Sequence, residues 1–335
     1  MRNYWLLATP GLLFCLAIGW TRRANSTQTD ENANKAPAAE DRALTFLGRE
    51  VPRWSIENKC FSCHNNGDGA RALYTALKMG SRVPPSAVAD TSAWLARPEG
   101  WDHNGGDAPF SDKRLARIQF AASLVTSLES GQTKDRRVLM RAAEIVADDQ
   151  ASDGSWPIED GGAVGSPATY GRPLATYMAR EVLRKADSTR FRDSVERANA
   201  WLRRLNPKNV LDTAIVLLAE DARDDAEEIA HHQSTLDFLR RAQSENGGWG
   251  PYANSPPEPF DTAVVLLALV RLNRQPTTSG MIERGRAYLI ATQLPDGSWP
   301  GTTRPPGGES YAQRLSTAGW ATLALLASRD SISPP

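Results

Sequence analysis

Three copies of one short pattern constrain this chain more than any other feature. Gln150-x3-Gly154-x-Trp156, Gln243-x3-Gly247-x-Trp249 and Gln293-x3-Gly297-x-Trp299 repeat one register. Each follows a charged, amphipathic segment and precedes an apolar one. Glycine supplies the left-handed backbone that ends a helix. The tryptophan buries a large ring and keeps one N–H for a partner. The pattern predicts a helix, a tight turn and a second helix, repeated.

Six apolar segments carry that second helix. They begin near Asp68, Ser111, Ser166, Asp212, Asp261 and Ser316, 43 to 55 residues apart. Asp and Ser are read here as caps, accepting hydrogen bonds from unpaired N–H groups of the first turn. Pro167 fits the first helical position, where no N–H is missed. A period of about 50 residues marks a repeat architecture. Helices such as Thr262–Val270 have no polar stripe and must be covered all round. Their partners, including Arg137–Asp149, Asp193–Leu205, Ser234–Ala242 and Met281–Thr292, carry one apolar stripe each. An all-α ring of six helical hairpins, inner helices enclosed by outer ones, satisfies both. Closing the ring also leaves no end repeat needing a cap.

The remaining sequence is less informative. Acidic and basic residues balance at 39 each with no basic run, which argues against a nucleic-acid partner. Three cysteines, Cys15, Cys60 and Cys63, are too few for a disulfide framework. Arg2 precedes an apolar run from Tyr4 to Trp20, so residues 1–24 read as a signal peptide or uncleaved membrane anchor. Residues 25–40 read as a disordered tether, 41–329 as the helical domain and 330–335 as a tail. The expected location is exported, periplasmic or anchored facing the periplasm.

The repeated Gln/Trp turns resemble those of the squalene–hopene cyclase and prenyltransferase superfamily. Arg284-Gly285-x2-Tyr288-Leu289-x3-Gln293-x3-Gly297-x-Trp299 matches the extended form. The resemblance covers about Arg137 to Ala327; the two earlier hairpins join by periodicity alone. It implies an α/α toroid, an α6–α6 barrel, with an apolar cavity able to take an isoprenoid ligand. Tyr74, Phe120, Tyr170, Tyr177 and Trp320 are its implied wall residues. The cyclases' D-x-D-D-T-A acid motif aligns with Glu258-Pro259-Phe260-Asp261-Thr262-Ala263, which puts Phe260 at the acid's position. Asn209-Val210-Leu211-Asp212 puts Leu211 there. Glu258 is the nearest substitute acid. The prenyltransferase zinc site is also missing, since no cysteine follows Cys63 and no cluster for diphosphate is evident.

Cys60-Phe61-Ser62-Cys63-His64 is C-x-x-C-H, the attachment pattern of a covalent haem c. Cys60 and Cys63 would bind the vinyl groups and His64 the iron. A redox-active disulfide, a zinc site with a fourth ligand and a buried inert pair are the alternatives. Met79 lies about 16 Å along the helix from Asp68. His103, in the matching turn of the next hairpin, is the better sixth ligand. The leading functional expectation is therefore an exported haem-bearing redox module with a redox partner protein. The alternatives are a terpenoid-processing enzyme using a non-standard acid and a non-catalytic binding protein.

Overall fold

A computed structural model describes residues 38–104, 112–158, 170–220, 226–272, 276–302 and 310–329. The expected signal or anchor, most of the tether, the tail, and the starts at Ser111 and Ser166–Pro167 lie outside the described residues. Among the described residues there is no strand. None of their helices is long and apolar enough to cross a membrane.

Among the described residues twelve α-helices pair in chain order. The first hairpin is α1 (Ala39–Asn58) and α2 (Ala70–Lys78), and the second is α3 (Ala89–Leu95) and α4 (Lys113–Glu129). Then come α5 (Arg137–Asp148) with α6 (Gly171–Asp187), and α7 (Arg192–Arg203) with α8 (Val210–Ala219). The last two pairs are α9 (Ala226–Ala242) with α10 (Pro259–Arg271), and α11 (Pro276–Thr292) with α12 (Tyr311–Ala327). The even-numbered helices form the inner ring: each packs on the next, and α12 returns to α2. The chain is thus an α/α toroid of six hairpins. Burial follows the expected division. Nearly all of α8 and α10 is buried, whereas α7 buries only Ala198 and Leu202.

Several helix starts differ from expectation. Helix α1 begins at Ala39, with Glu40 and Asp41 in its first turn, so the domain reaches two residues into the expected tether. The cap of α4 is Asp112, which accepts from the Leu115 N–H. For α8 the cap is Asn209, and Asp212 sits one turn inside, its carboxylate accepting from Asn209 Nδ2 at 2.7 Å. Asp261 is likewise inside α10, which starts after Glu258. Helix α12 begins after Ser310, which forms a capping box with Gln313, leaving Ser316 inside the helix. Asp and Ser occupy the first turn and the cap with similar ease, so residue type alone misplaces the start.

Each Gln/Trp turn is a staple between neighbouring hairpins. Gln150 Nε2 donates to Gly154 O (3.0 Å) in its own turn and to Ser194 O (2.9 Å) on α7. Gln243 does the same with Gly247 and Met281 on α11. Gln293 bonds Gly297 and reaches Ala39 on α1 at 2.9 Å, closing the ring across 254 positions. The buried Arg286–Glu40 pair lies at the same seam. The three indole N–H groups donate to the carbonyls of Val146, Leu239 and Leu289 at 2.6–2.7 Å. Arg284 donates to Gln243, Gly285 faces Trp249, and Tyr288 lies under Gly248. The extended motif of one hairpin therefore receives the turn of the hairpin before it. Thr262 accepts from the Trp249 N–H at 2.9 Å, a packing role for the threonine of Asp261-Thr262-Ala263.

Gly297 has φ +90° and a Cβ there would lie 2.2 Å from Arg42 O, whereas Gly131, at φ +78°, has open space around it. Gly131→Ala should cost only left-handed strain, about 1–2 kcal/mol. Gly297→Ala adds overpacking of about 1–3 kcal/mol more, and denaturant titration of both variants should show that order. In the first staple, hydrogen bonds from Ser155 N–H and Oγ hold the Asp153 carboxyl below its usual range. A depressed carboxyl stabilises the fold above the unfolded value of 3.8, and that contribution is lost as pH falls through the folded value. The stability difference between wild type and Asp153→Ala, present at neutral pH, should shrink as melting is followed below pH 3.8.

Candidate functional site

Between α1 and α2 the chain makes a wide π-helical turn, Cys63–Gly69, entered through Ser62, whose hydroxyl accepts from the His64 N–H. Such turns are rare and concentrate at functional sites. This one is buried from Asn65 to Gly69. Asn66 holds its entry, accepting from the Ser62 N–H at 2.9 Å and donating to Thr91 at 2.8 Å. Asn65 donates to Glu50 O and to the Tyr311 hydroxyl, both at 2.9 Å. Glycines let the inner helices close on the turn. A Cβ on Gly67 would meet Gln119 Cβ at 2.9 Å, and one on Gly319 would meet Asp68 O at 2.7 Å.

That close approach delivers three donors to one carboxylate. Asp68 is 1% exposed. Its Oδ1 accepts from the Tyr170 hydroxyl at 2.8 Å, and its Oδ2 accepts from Gln119 Nε2 and Ser316 Oγ, each at 2.8 Å. Ser316 Oγ is also 2.9 Å from His64 Nδ1. Burial pushes the His64 imidazole below its ordinary value, with the Asp68 charge opposing. Burial, with the Asp68 charge adding to it, pushes the Tyr170 phenol well above 10.

An aromatic cluster adjoins the carboxylate. Tyr170 meets Trp320 edge-on at 5.9 Å, and Trp320 meets Phe260 at 5.8 Å. Phe260, which replaces the acid expected from the resemblance, thus faces the same cluster as Asp68 from its other side. The buried guanidinium of Arg71 lies 4.1 Å from the Trp320 ring and donates to Met178 Sδ. Among the other implied wall residues, Phe120 packs with Trp94 and Trp101, Tyr74 bonds Ser92, and Tyr177 accepts from Arg271. Glu258 stands at the rim, its N–H on Trp249 O. Neighbouring Tyr288 is pushed up to about 12 by burial, with the charges of Glu258 and Asp261 adding.

The sequence-predicted haem residues lie apart in role. Cys60 is buried with its Sγ accepting from Trp54 Nε1 at 3.2 Å. Cys63 is half-buried at the start of the π turn, and neither cysteine is in a disulfide. His64 turns to Ser316. Among the described residues no three His, Cys, Asp or Glu side chains converge on a metal position. The neighbouring rim turn does lie beside the motif, as the ring requires. It is Asn104 that reaches it, clamping the Phe61 N–H and carbonyl at 2.9 and 2.5 Å, while His103 is exposed. Asp68 was read as a helix cap. Its flanking glycines, Gly67 and Gly69, were the available sign of a closely packed position.

Comparison with known proteins agrees with the toroid. No protein-family model matches the chain. Drimenyl diphosphate synthase from Streptomyces showdoensis is 31% identical over 103 residues, 30% of this chain and 19% of that protein's length. The match thus spans about a fifth of that relative. The type II terpene cyclase MstE from Scytonema superposes with a TM-score of 0.54 at 13% identity, covering 88% of this chain and 98% of its own. ent-Copalyl diphosphate synthase from Streptomyces platensis gives 0.50 at 20% identity, over 78% of this chain and 50% of that one. These likenesses overturn the redox-module expectation. The scaffold is shared with terpene cyclases, and the histidine read as an iron ligand is engaged with Ser316 in a chain ending at a buried acid.

Proposed function

We propose that the chain is a terpenoid-processing, cyclase-like protein whose barrel takes an isoprenoid chain and whose general acid is Asp68. The observation that carries this is the buried Asp68 carboxyl, held by three donors against the Tyr170–Trp320–Phe260 cluster. Protonating an alkene demands an acid whose conjugate base is well stabilised in a site shielded from water. Tyr170, Gln119 and Ser316 supply that stabilisation through bonds to the carboxylate that remains. The Asp68 O–H proton passes to the terminal alkene carbon. The alkene pair forms the new C–H bond, and the O–H pair stays on oxygen. The tertiary cation is then taken up by the next double bond, and the last cation gives a proton to water, its C–H pair becoming the final double bond. Aromatic faces stabilise such cations, and Trp320 already lies against the Arg71 guanidinium. The toroid shared with MstE, which binds geranylgeranyl dihydroxybenzoate as substrate, supports the reading, as does the match to a diphosphate synthase.

Glu258, the acid nearest the resembling motif, is a rim residue in this arrangement and is not required. The test is incubation of wild type, Asp68→Asn and Glu258→Gln with squalene, geranylgeranyl diphosphate and a geranylgeranylated phenol, with products followed by mass spectrometry. Wild type and Glu258→Gln should cyclise at least one of these, and Asp68→Asn should lose at least about 100-fold, the usual contribution of a general acid. Turnover that survives Asp68→Asn, or no cyclised product from wild type, overturns the proposal.

A further inference from the structure

An acid that gives its proton to carbon must recover one before the next turnover. Asp68 is 1% exposed, with Tyr170 on Oδ1 and Gln119 and Ser316 on Oδ2, so its proton does not come from bulk water directly. One continuous chain of hydrogen bonds leads outward from it: Asp68 Oδ2, Ser316 Oγ at 2.8 Å, then His64 Nδ1 at 2.9 Å. The other two donors lead nowhere comparable. Gln119 carries an amide, which does not pass protons, and Tyr170 is fully buried. His64, by contrast, keeps part of its surface exposed at the head of the π turn.

We propose that Ser316 and His64 form the relay that returns a proton to Asp68 after each protonation of substrate. This rests on the reading of Asp68 as the acid. The protons can be followed atom by atom. The Ser316 hydroxyl has one hydrogen. While Asp68 is a carboxylate that hydrogen is donated to Oδ2, so His64 must present Nδ1–H to Ser316, a tautomer assigned from the chain of bonds. The hydroxyl proton moves to Oδ2 and the Nδ1 proton moves to Oγ. Nε2 takes one proton from solvent at the rim. Every O–H or N–H bond broken is replaced by one formed, no electron leaves the chain, and the ring ends neutral as it began. Its two tautomers re-equilibrate with rim solvent before the next cycle. Ser316 and His64 act only through Asp68 and are positioning residues, whereas Asp68 is the group that gives its proton to carbon.

The π-helical geometry explains how the relay is assembled. His64 and Asp68 are four residues apart, yet they do not bond each other directly; Ser316 of α12, 252 positions from His64, is inserted between them. Gly319, one turn further along α12, allows that helix to lie against the Asp68 backbone. The widened turn leaves room for the hydroxyl that a regular helix would close.

The experiment separates the first turnover from the following ones. Wild type, Ser316→Ala and His64→Phe are mixed with the polyprenyl substrate that wild type turns over, and product is counted per protein chain from the first seconds. Circular dichroism establishes that each variant is folded. A broken relay leaves the stored proton usable once. His64→Phe should therefore show a burst of about one product per chain, then a steady rate at least tenfold lower with KM unchanged, and a larger solvent deuterium isotope effect on the steady phase than on the burst. Ser316→Ala, which also removes a donor from Asp68, should slow the burst as well as the steady phase. Wild type should show no burst. Steady turnover at the wild-type rate in either variant, or loss of burst and steady phase together in folded His64→Phe, overturns the relay. If Asp68→Asn is inactive while these variants behave as wild type, the acid assignment stands and the relay falls. If wild type itself forms no product, the underlying reading is what fails. A check independent of substrate uses nitrogen-15 NMR of the histidines. The Nδ1–H tautomer of His64 should be seen in wild type and lost in Ser316→Ala; an Nε2–H tautomer in both overturns the bond order assigned here.

Discussion

The whole ring hangs on a hydrogen bond made by a glutamine that leaves its own hairpin. In each repeated turn the Gln side-chain amide ties its own Gly carbonyl to a carbonyl of the next outer helix. The Gly must then adopt a left-handed backbone and come so close that a Cβ would lie 2.2–2.5 Å from a carbonyl oxygen of that neighbour. Trp anchors the turn backwards onto the helix it has just left. Registration between hairpins is thus set by polar geometry as well as by apolar packing. The inner helices can consequently be apolar on almost every face without sliding. The buried site depends on this, because its donors come from three different helices.

Much of the scaffold was readable from residues alone, since each staple is a local pattern of seven residues. Helix starts were less readable. Asp212, Asp261 and Ser316 carry the side chains that caps prefer, but Asn209, Glu258 and Ser310 hold the cap positions. The difference lies in backbone angles that a short polar residue tolerates on either side of the boundary. The domain's first helix was missed at its start for a related reason: Ala39, Glu40 and Asp41 are compositionally tether-like, yet Ala39 receives Gln293 and Glu40 pairs with Arg286. Their structure is imposed by partners some 250 residues away.

The site was legible only in pieces. Cys60, Cys63 and His64 form a compact local motif, whereas the Ser316 hydroxyl that His64 meets lies 252 positions away. Asp68, Gln119, Tyr170 and Ser316 each look ordinary in sequence; the chemistry arises from their convergence across 51, 102 and 248 positions. Phe260 and Asp68 border one aromatic cluster. Glycines on both sides of Asp68 are the sequence trace of its close packing.

Ring closure also bears on how such a chain reaches its native state. An open solenoid can gain or lose hairpins at its ends one at a time, because each touches only its neighbours. Here the Gln293–Ala39 staple and the Ser316–Asp68 bond join the last hairpin to the first. Joining such distant segments carries a loop-closure cost that grows only slowly with length, and the docked repeats between them hold the two ends in register. Assembly of the Asp68 surroundings is therefore coupled to the docking of the last hairpin on the first.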